Sequence, residues 1–314
     1  MVSIRRWVLA TFILTFLTII AGGVVRTTQS GMGCPDWPTC FGRWIPPTNA
    51  SQLPPDFEKY LHKQDIDHTF NVFHTWTEYL NRLVGELLGV LALVQFVLLF
   101  RKRKELGLSY RLAIAFLSGV ILTGLFGAVV VYRNLGDLSI TVHFFCAIIL
   151  LQIELALLLS LQSQLNTITV EAKLKKLFLL LLAVISIQAA LGTGVRMYVD
   201  NVSKTLHYEQ RETWLAATPI SFLIHRSFSW IVLLTTIFIV WYSRNITAIR
   251  NKLVGLSVII VMSMITGIVL FYANMPAIAQ PIHLFLASCA ITLTVSVILQ
   301  TNSNQNESRY PDNN

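Results

Sequence analysis

Eight apolar stretches, each long enough to cross a membrane as a helix, constrain the fold of this chain more than any other feature. About 20 helical residues span a hydrocarbon core of about 30 Å. Hydrophobic residues make up 54% of the 314-residue chain and charged residues 13%, and the mean hydropathy of +0.62 lies outside the range of soluble proteins. We therefore predict an all-α integral membrane protein with spans near 7–26, 79–100, 111–132, 139–161, 176–196, 218–241, 253–272 and 280–300.

Lys and Arg collect in the loops on one side of these spans, in the clusters Arg5/Arg6, Arg101 to Lys104, Lys173 to Lys176 and Arg244 to Lys252. Positively charged loops stay on the cytoplasmic side of a membrane. Both termini are therefore predicted to be cytoplasmic, and the first span is interpreted as a retained helix in a bacterial plasma (inner) membrane. Because the net charge of +8 is scattered over short loops in contact with the lipid bilayer, nucleic acid is not a predicted partner.

The two halves of the chain resemble each other. Gly22 to Arg26 recurs as Gly192 to Arg196, Asn81-Arg82 as His225-Arg226, Thr123-Gly124 as Thr266-Gly267, and Val142-His143-Phe144 as Ile282-His283-Leu284. The repeat predicts two tandem, pseudo-symmetric four-helix bundles, over 1–165 and 166–300, followed by a disordered cytoplasmic tail over 301–314. A long external loop, 27–77, distinguishes the first half.

Three histidines, His143, His225 and His283, lie near the outer ends of predicted spans at one membrane depth. A histidine inside a transmembrane helix generally faces the bundle interior with a partner or ligand. Two imidazoles at one depth can occupy both faces of a heme iron, and His225 and His283 form such a pair. The alternative for each is a hydrogen-bonded packing residue, which the recurrence of the position disfavours.

Five arginines lie at external helix ends, against the positive-inside tendency: Arg26, Arg82, Arg133, Arg196 and Arg226. Heme propionates are suitable counter-ions, because guanidinium groups bind carboxylates in a bidentate, charge-assisted way. The alternative is contact with lipid phosphate. Arg82 and Arg226, each adjacent to a candidate axial position, are the best candidates for a heme contact.

Two segments carry a more specific resemblance. The run from Gly22 to Cys40, with its Cys-Pro-x-Trp-Pro-x-Cys end, and the segment Glu78-Tyr79-Leu80-Asn81-Arg82 resemble signature segments of the heme A synthase family. The resemblance covers nearly the whole chain. It implies an oxidoreductase that oxidises the C8 methyl group of heme O to a formyl group, which gives heme A for cytochrome oxidase assembly.

The resemblance also implies a heme b cofactor in the C-terminal half and the heme O substrate in the N-terminal half. Candidate partners are the heme O-producing farnesyltransferase, the terminal oxidase and a second copy of the chain. The cofactor residues it implies are His225 and His283 as axial ligands, with Arg226 and Arg196 at the propionates. The substrate-side residues are Glu78 as the catalytic acid, His143 as an axial ligand, and Asn81, Arg82 and Arg26 around the heme.

The sequence departs from the family at Asn81, where a second substrate-side histidine is common. The N-terminal heme is therefore expected to be five-coordinate through His143, with an open face. His74 is an alternative ligand, two turns and about 10 Å further out on the same helix face. Glu78 itself has a simpler alternative as an acid at a helix start, where the macrodipole favours it.

The external Cys34 and Cys40 form a disulfide if the compartment is oxidising, and both a structural and a redox-active pair fit their spacing. Cys146 and Cys289 are expected to be buried, apolar-like thiols. Glu86 and Glu154 lie deeper in predicted spans and receive no role.

Two other classes of protein use some of the same residues. A non-enzymatic b-type membrane cytochrome needs the histidines and arginines, but not Glu78 or the cysteine loop. A heme or metal chaperone in oxidase assembly uses the cysteines with His62, His68 and His74, but does not need His225 and His283 at matched depth. An enzyme uses all of these features.

Overall fold

The computed structural model of the protein describes residues 2–61, 70–133, 135, 137–162 and 167–303. Its long helices are α1 (Val2–Thr27), α3 (Val72–Phe100), α4 (Gly107–Tyr132), α5 (Asp137–Ser160), α6 (Ala172–Thr205), α7 (Ile220–Tyr242), α8 (Thr247–Tyr272) and α9 (Ala279–Leu299), with a short α2 (Glu58–Leu61) in the first external loop. All eight long helices are apolar and long enough to cross a membrane. The predicted all-α integral membrane fold with eight spans is confirmed.

Two helices extend further into the loops predicted to be external than their apolar residues predict. α3 begins at Val72, and the side chain of Asn71 caps it by accepting from the main-chain nitrogen of His74 at 3.2 Å. α6 continues to Thr205. Glu78 therefore lies well inside a helix. The interpretation of this residue as an acid at a helix start is wrong.

The helices pack in two groups of four. In the first group α1 contacts α3 and α5, and α4 contacts the same two helices; in the second, α6 and α8 each contact α7 and α9. α9 also contacts α1 and α5, which joins the groups. The division into two tandem bundles, their pseudo-symmetry and the cytoplasmic position of the termini stay predictions.

The outer surface of the bundle is apolar, as a lipid environment requires. Leu122 and Leu234 are more than 60% exposed at the middle of their helices, at 65% and 62%, whereas Phe116 and Phe178 are fully buried inside. Large aliphatic side chains face outward because hydrocarbon, rather than water, surrounds them.

The disorder predicted from Thr301 onward is wrong for the first residues of that segment. Strand β2 (Thr301–Ser303) pairs in parallel with β1 (Ile168–Val170), the segment that precedes α6. Thr301 is buried, and its carbonyl accepts from Nζ of Lys175 at 3.0 Å. The polar composition of the tail did not reveal this short pairing; residues 304–314 lie outside the described residues.

Candidate functional site

The imidazoles of His225 and His283 face each other in the second helix group. They project from α7 and α9, and their ring centroids lie 6.3 Å apart with the ring planes at 75°. Imidazole nitrogens bind metal ions at about 2 Å, so one metal ion fits between the two rings. The structure thus brings together the predicted axial pair.

A glycine on the preceding helix lies against each of the three histidines. A Cβ atom would lie 3.0 Å from Cε1 of His225 at Gly192, 3.6 Å from that of His283 at Gly267, and 3.4 Å from that of His143 at Gly127. The absent side chains let each imidazole pack directly against the neighbouring helix, which fixes where the ring lies.

The same contacts correct the internal repeat. Gly127 and Gly267 occupy equivalent places against His143 and His283, whereas a Cβ at Gly124 would meet nothing within 4 Å. The predicted match of Thr123-Gly124 to Thr266-Gly267 is therefore wrong by three residues, and Phe126 is the counterpart of Thr266. The error arose because Thr-Gly recurs by coincidence one helical turn earlier.

His143 lies in the first helix group, on α5, as His283 lies on α9. Its ring stacks on Phe126 with centroids 6.3 Å apart and planes at 18°. Asn81, the counterpart of His225, is half-buried on α3. The two groups thus present equivalent positions, with two imidazoles in the second and one imidazole and an amide in the first.

The carboxylate of Glu78 lies beneath the external loop, with only 5% of its side chain exposed. Its Oε2 accepts from the main-chain nitrogen of Cys34 at 2.7 Å, and its Oε1 accepts from Nη2 of Arg82 at 2.5 Å and from Nε at 3.2 Å. Arg82 also donates to the carbonyls of Cys34, Asp36 and Thr39, at 2.6, 2.7 and 3.0 Å. All five N–H groups of this guanidinium are therefore paired within the protein, which makes Arg82 a clamp on the loop.

Cys34 and Cys40, which belong to the same loop, form a buried disulfide. The loop rests on the first turns of α3, where Thr75 donates from Oγ1 to the carbonyl of Gly33 at 3.0 Å. A Cβ at Gly33 would lie 2.3 Å from the carbonyl oxygen of His74, so only glycine allows this approach. The main chain of His74, the alternative heme ligand, thus forms part of the surface on which the loop packs. His62 and His68 lie outside the described residues.

Asp200 joins the outer ends of the two helix groups. Its Oδ2 accepts from Nε of Arg26 at 2.8 Å, and its Oδ1 pairs with Nη2 of Arg196 at 2.7 Å. Arg196 also donates to the side chain of Gln280, and its Nε is buried without a partner among the described residues. Two guanidinium groups share one carboxylate, so this junction is net positive and has a spare donor for an anionic group.

Sequence reasoning missed Asp200, Phe126 and Gln280. A signal for Asp200 was available, because it follows Arg196 by four residues and such pairs meet on a helix face. Gln280 and Phe126 carry no comparable local signal, since each contacts a residue on another helix.

The remaining predicted residues are dispersed. Arg226 is exposed, 5.8 Å from the ring of Phe222. Glu86 is exposed on α3, while Glu154 is fully buried and accepts from Nε2 of Gln95 at 2.9 Å. Glu154 lies eleven residues after His143 on the same helix, about 16 Å along its axis. Cys146 and Cys289 are free, half-buried thiols.

Comparison with known proteins yields one family. The model of the COX15-CtaA family, described as cytochrome oxidase assembly protein, matches residues 5–295. The chain is 34% identical over 90 residues to the heme A synthase of Shewanella oneidensis, covering 28% of this chain and 25% of that protein. It is 32% identical over 144 residues to the heme A synthase of Nitrosomonas eutropha, covering 43% and 39%.

The heme A synthase of Neorickettsia sennetsu is 29% identical over 167 residues, covering 48% of this chain and 50% of that protein. The chain thus spans half or less of the length of these relatives. The eight spans and the bacterial relatives identify a multi-pass protein of a bacterial plasma membrane. Because the family match extends over nearly all of the sequence, this chain belongs to the COX15-CtaA family of cytochrome oxidase assembly proteins.

Proposed function

We propose that this protein is a heme A synthase, an oxidoreductase that oxidises the C8 methyl group of heme O to a formyl group for cytochrome oxidase assembly. One observation carries the proposal: two equivalent sites recur in the chain, but only His225 and His283 form a facing pair of imidazoles. A pair suits a retained cofactor, and a single imidazole at His143 leaves one iron face open. The relatives named heme A synthase support the same assignment.

In this proposal the C-terminal half, 166–300, holds heme b, which supplies electron transfer when bound. His225 and His283 would hold its iron. Arg226 is exposed and free to approach a propionate, and Arg196 has an unpaired Nε for the same purpose. The glycines on the preceding helices contact the imidazoles and fix the position of each ring.

The N-terminal half, 1–165, receives heme O. His143 binds its iron, Asn81 lines the opposite face, and Arg26 adds positive charge at the outer end of α1. Arg82 contributes here by holding the loop, since its donors are all paired.

Glu78 is the proposed catalytic acid. It lies one helical turn before Asn81, so its negative charge is adjacent to the substrate position. A carboxylate positioned next to the reacting group can accept or transfer a proton there. A b-type cytochrome that only transfers electrons has no use for this carboxylate or for the loop above it.

Co-expression with a heme O-producing farnesyltransferase tests the proposal. Hemes extracted from the membranes are separated by chromatography, and we expect heme A or its hydroxylated intermediate. Heme O alone, in cells where a known heme A synthase produces heme A, would overturn the assignment.

A further inference from the structure

Residues 126 and 266 are equivalent positions with different side chains. Each immediately precedes the glycine that packs against a histidine, Gly127 beside His143 and Gly267 beside His283. The two glycines are 140 residues apart in the sequence, and so are the two histidines. The surroundings of the two imidazoles therefore differ at one matched contact, which is threonine in the C-terminal half and phenylalanine in the N-terminal half.

The hydroxyl of Thr266 orients the ring of His283. Its single hydrogen is donated to the carbonyl of Ser263 at 2.9 Å, and its oxygen lies 2.9 Å from Nδ1 of His283. With the hydroxyl hydrogen on the carbonyl of Ser263, Nδ1 is the donor in this contact. A neutral imidazole protonated at Nδ1 presents its lone pair at Nε2, the form that binds a metal ion.

His143 has no such anchor. Phe126 stacks on its ring but has neither a donor nor an acceptor. Nδ1 of His143, like Nδ1 of His225, is buried and has no hydrogen-bond partner within the described part of the chain. The contrast is therefore between His143 and its counterpart His283. Neither tautomer of the His143 imidazole is selected by a hydrogen bond at Nδ1, and the ring is held by packing alone.

We propose that the side chain at this matched position adds to the effect of the number of imidazoles on how long each half keeps its heme: Thr266 helps to retain the cofactor, and Phe126 gives His143 no such support. The inference rests on the proposed function, in which one heme stays and the other is released as product. A hydrogen bond to the second nitrogen of a metal-bound histidine fixes the ring and strengthens the ligand, and its loss typically costs about ten- to hundred-fold in metal affinity.

Transfer of heme from the purified protein to excess apomyoglobin, followed by absorbance, measures retention in each half. Heme release from the two halves gives two kinetic phases. The phase that is missing from His143→Ala protein is assigned to the N-terminal half. We expect Thr266→Val to accelerate release from the C-terminal half by about tenfold or more, and Thr266→Ser to restore the wild-type rate. Thr236→Val removes a buried hydroxyl that donates within α7, and serves as the matched control.

The reciprocal change is Phe126→Thr, which we expect to slow release from the N-terminal half by about tenfold. Phe126→Leu removes the ring without adding a hydroxyl and is expected not to slow release. Wild-type rates in Thr266→Val, or equal acceleration in Thr266→Ser and Thr266→Val, would overturn the proposal. The co-expression assay on wild-type protein tests heme A formation separately, so a failure of the proposed function is recognised independently of these rates.

Discussion

The main-chain nitrogen of Cys34 donates to the carboxylate of Glu78 at 2.7 Å, which attaches the external disulfide directly to the proposed catalytic acid. The same carboxylate pairs with Arg82, whose other donors hold three carbonyls of the loop. The proposed catalytic acid is thus also a structural support of the loop.

Two substitutions of Glu78 separate these roles. Glu78→Gln removes the charge and keeps one oxygen that accepts from Cys34, while its amide nitrogen replaces the oxygen that pairs with Arg82. We expect heme A formation to fall by about hundredfold or more while heme b stays bound. Glu78→Ala removes the charge and both oxygens, and the disulfide should in addition become accessible to a water-soluble reductant. Heme extraction and thiol labelling measure the two effects. Normal heme A formation by Glu78→Gln would exclude the catalytic role.

Arg82→Lys tests the clamp. A lysine cannot reproduce the five donors of the guanidinium, and breaking this buried cluster should cost about 3 kcal/mol. Since about 1.4 kcal/mol corresponds to a tenfold change, the Cys34–Cys40 disulfide should be reduced at least about tenfold faster. Arg226→Lys, at the exposed counterpart of Arg82, is the control and should leave this rate unchanged. Equal rates in both variants would contradict the clamp.

Asp200→Asn tests the junction between the helix groups. The substitution leaves Arg26 and Arg196 without their shared carboxylate, and we expect a loss of roughly 3 kcal/mol, seen as a lower Tm in detergent. Glu105→Gln removes the acid of an exposed pair with Lys102, 3.9 Å apart, and should cost less than about 1 kcal/mol. A Tm for Asp200→Asn that equals that of the control would show that the junction does not stabilise the fold.

Gly192→Ala tests the contact with His225. Its Cβ would lie 3.0 Å from Cε1 of the imidazole, so the ring must move. We expect heme b content, measured by absorbance of the purified protein, to fall. Gly194→Ala on the same helix adds a methyl group where nothing lies within 4 Å, and should retain wild-type heme content. If both variants keep their heme, this contact is not part of the cofactor site.

The number of spans and the depth of the three histidines were predictable, because apolar length and position along a helix are local properties of the sequence. The pairing of His225 and His283 was predicted from their common depth, and the internal repeat disfavoured a packing role for each. By contrast, the partners of Arg82 come from a loop more than forty residues away, and those of Arg26 come from the other half of the chain. Such contacts depend on tertiary packing.

The difference between Phe126 and Thr266 illustrates the same limit. Both positions are visible in the repeat, but their register was identifiable only from the contacts of Gly127 and Gly267 with the imidazoles. A repeat with few identical residues tolerates a shift of one helical turn, because every helix face remains apolar.

The C-terminal half is proposed to hold the heme b cofactor, and the N-terminal half to receive heme O. Heme analysis of His143→Ala protein, purified from cells that make heme O, is the most direct test of this division. The account predicts heme b at the wild-type level, because His225 and His283 are intact, together with the absence of heme A. Formation of heme A by this variant, or loss of heme b instead, would contradict the placement of the substrate in the N-terminal half.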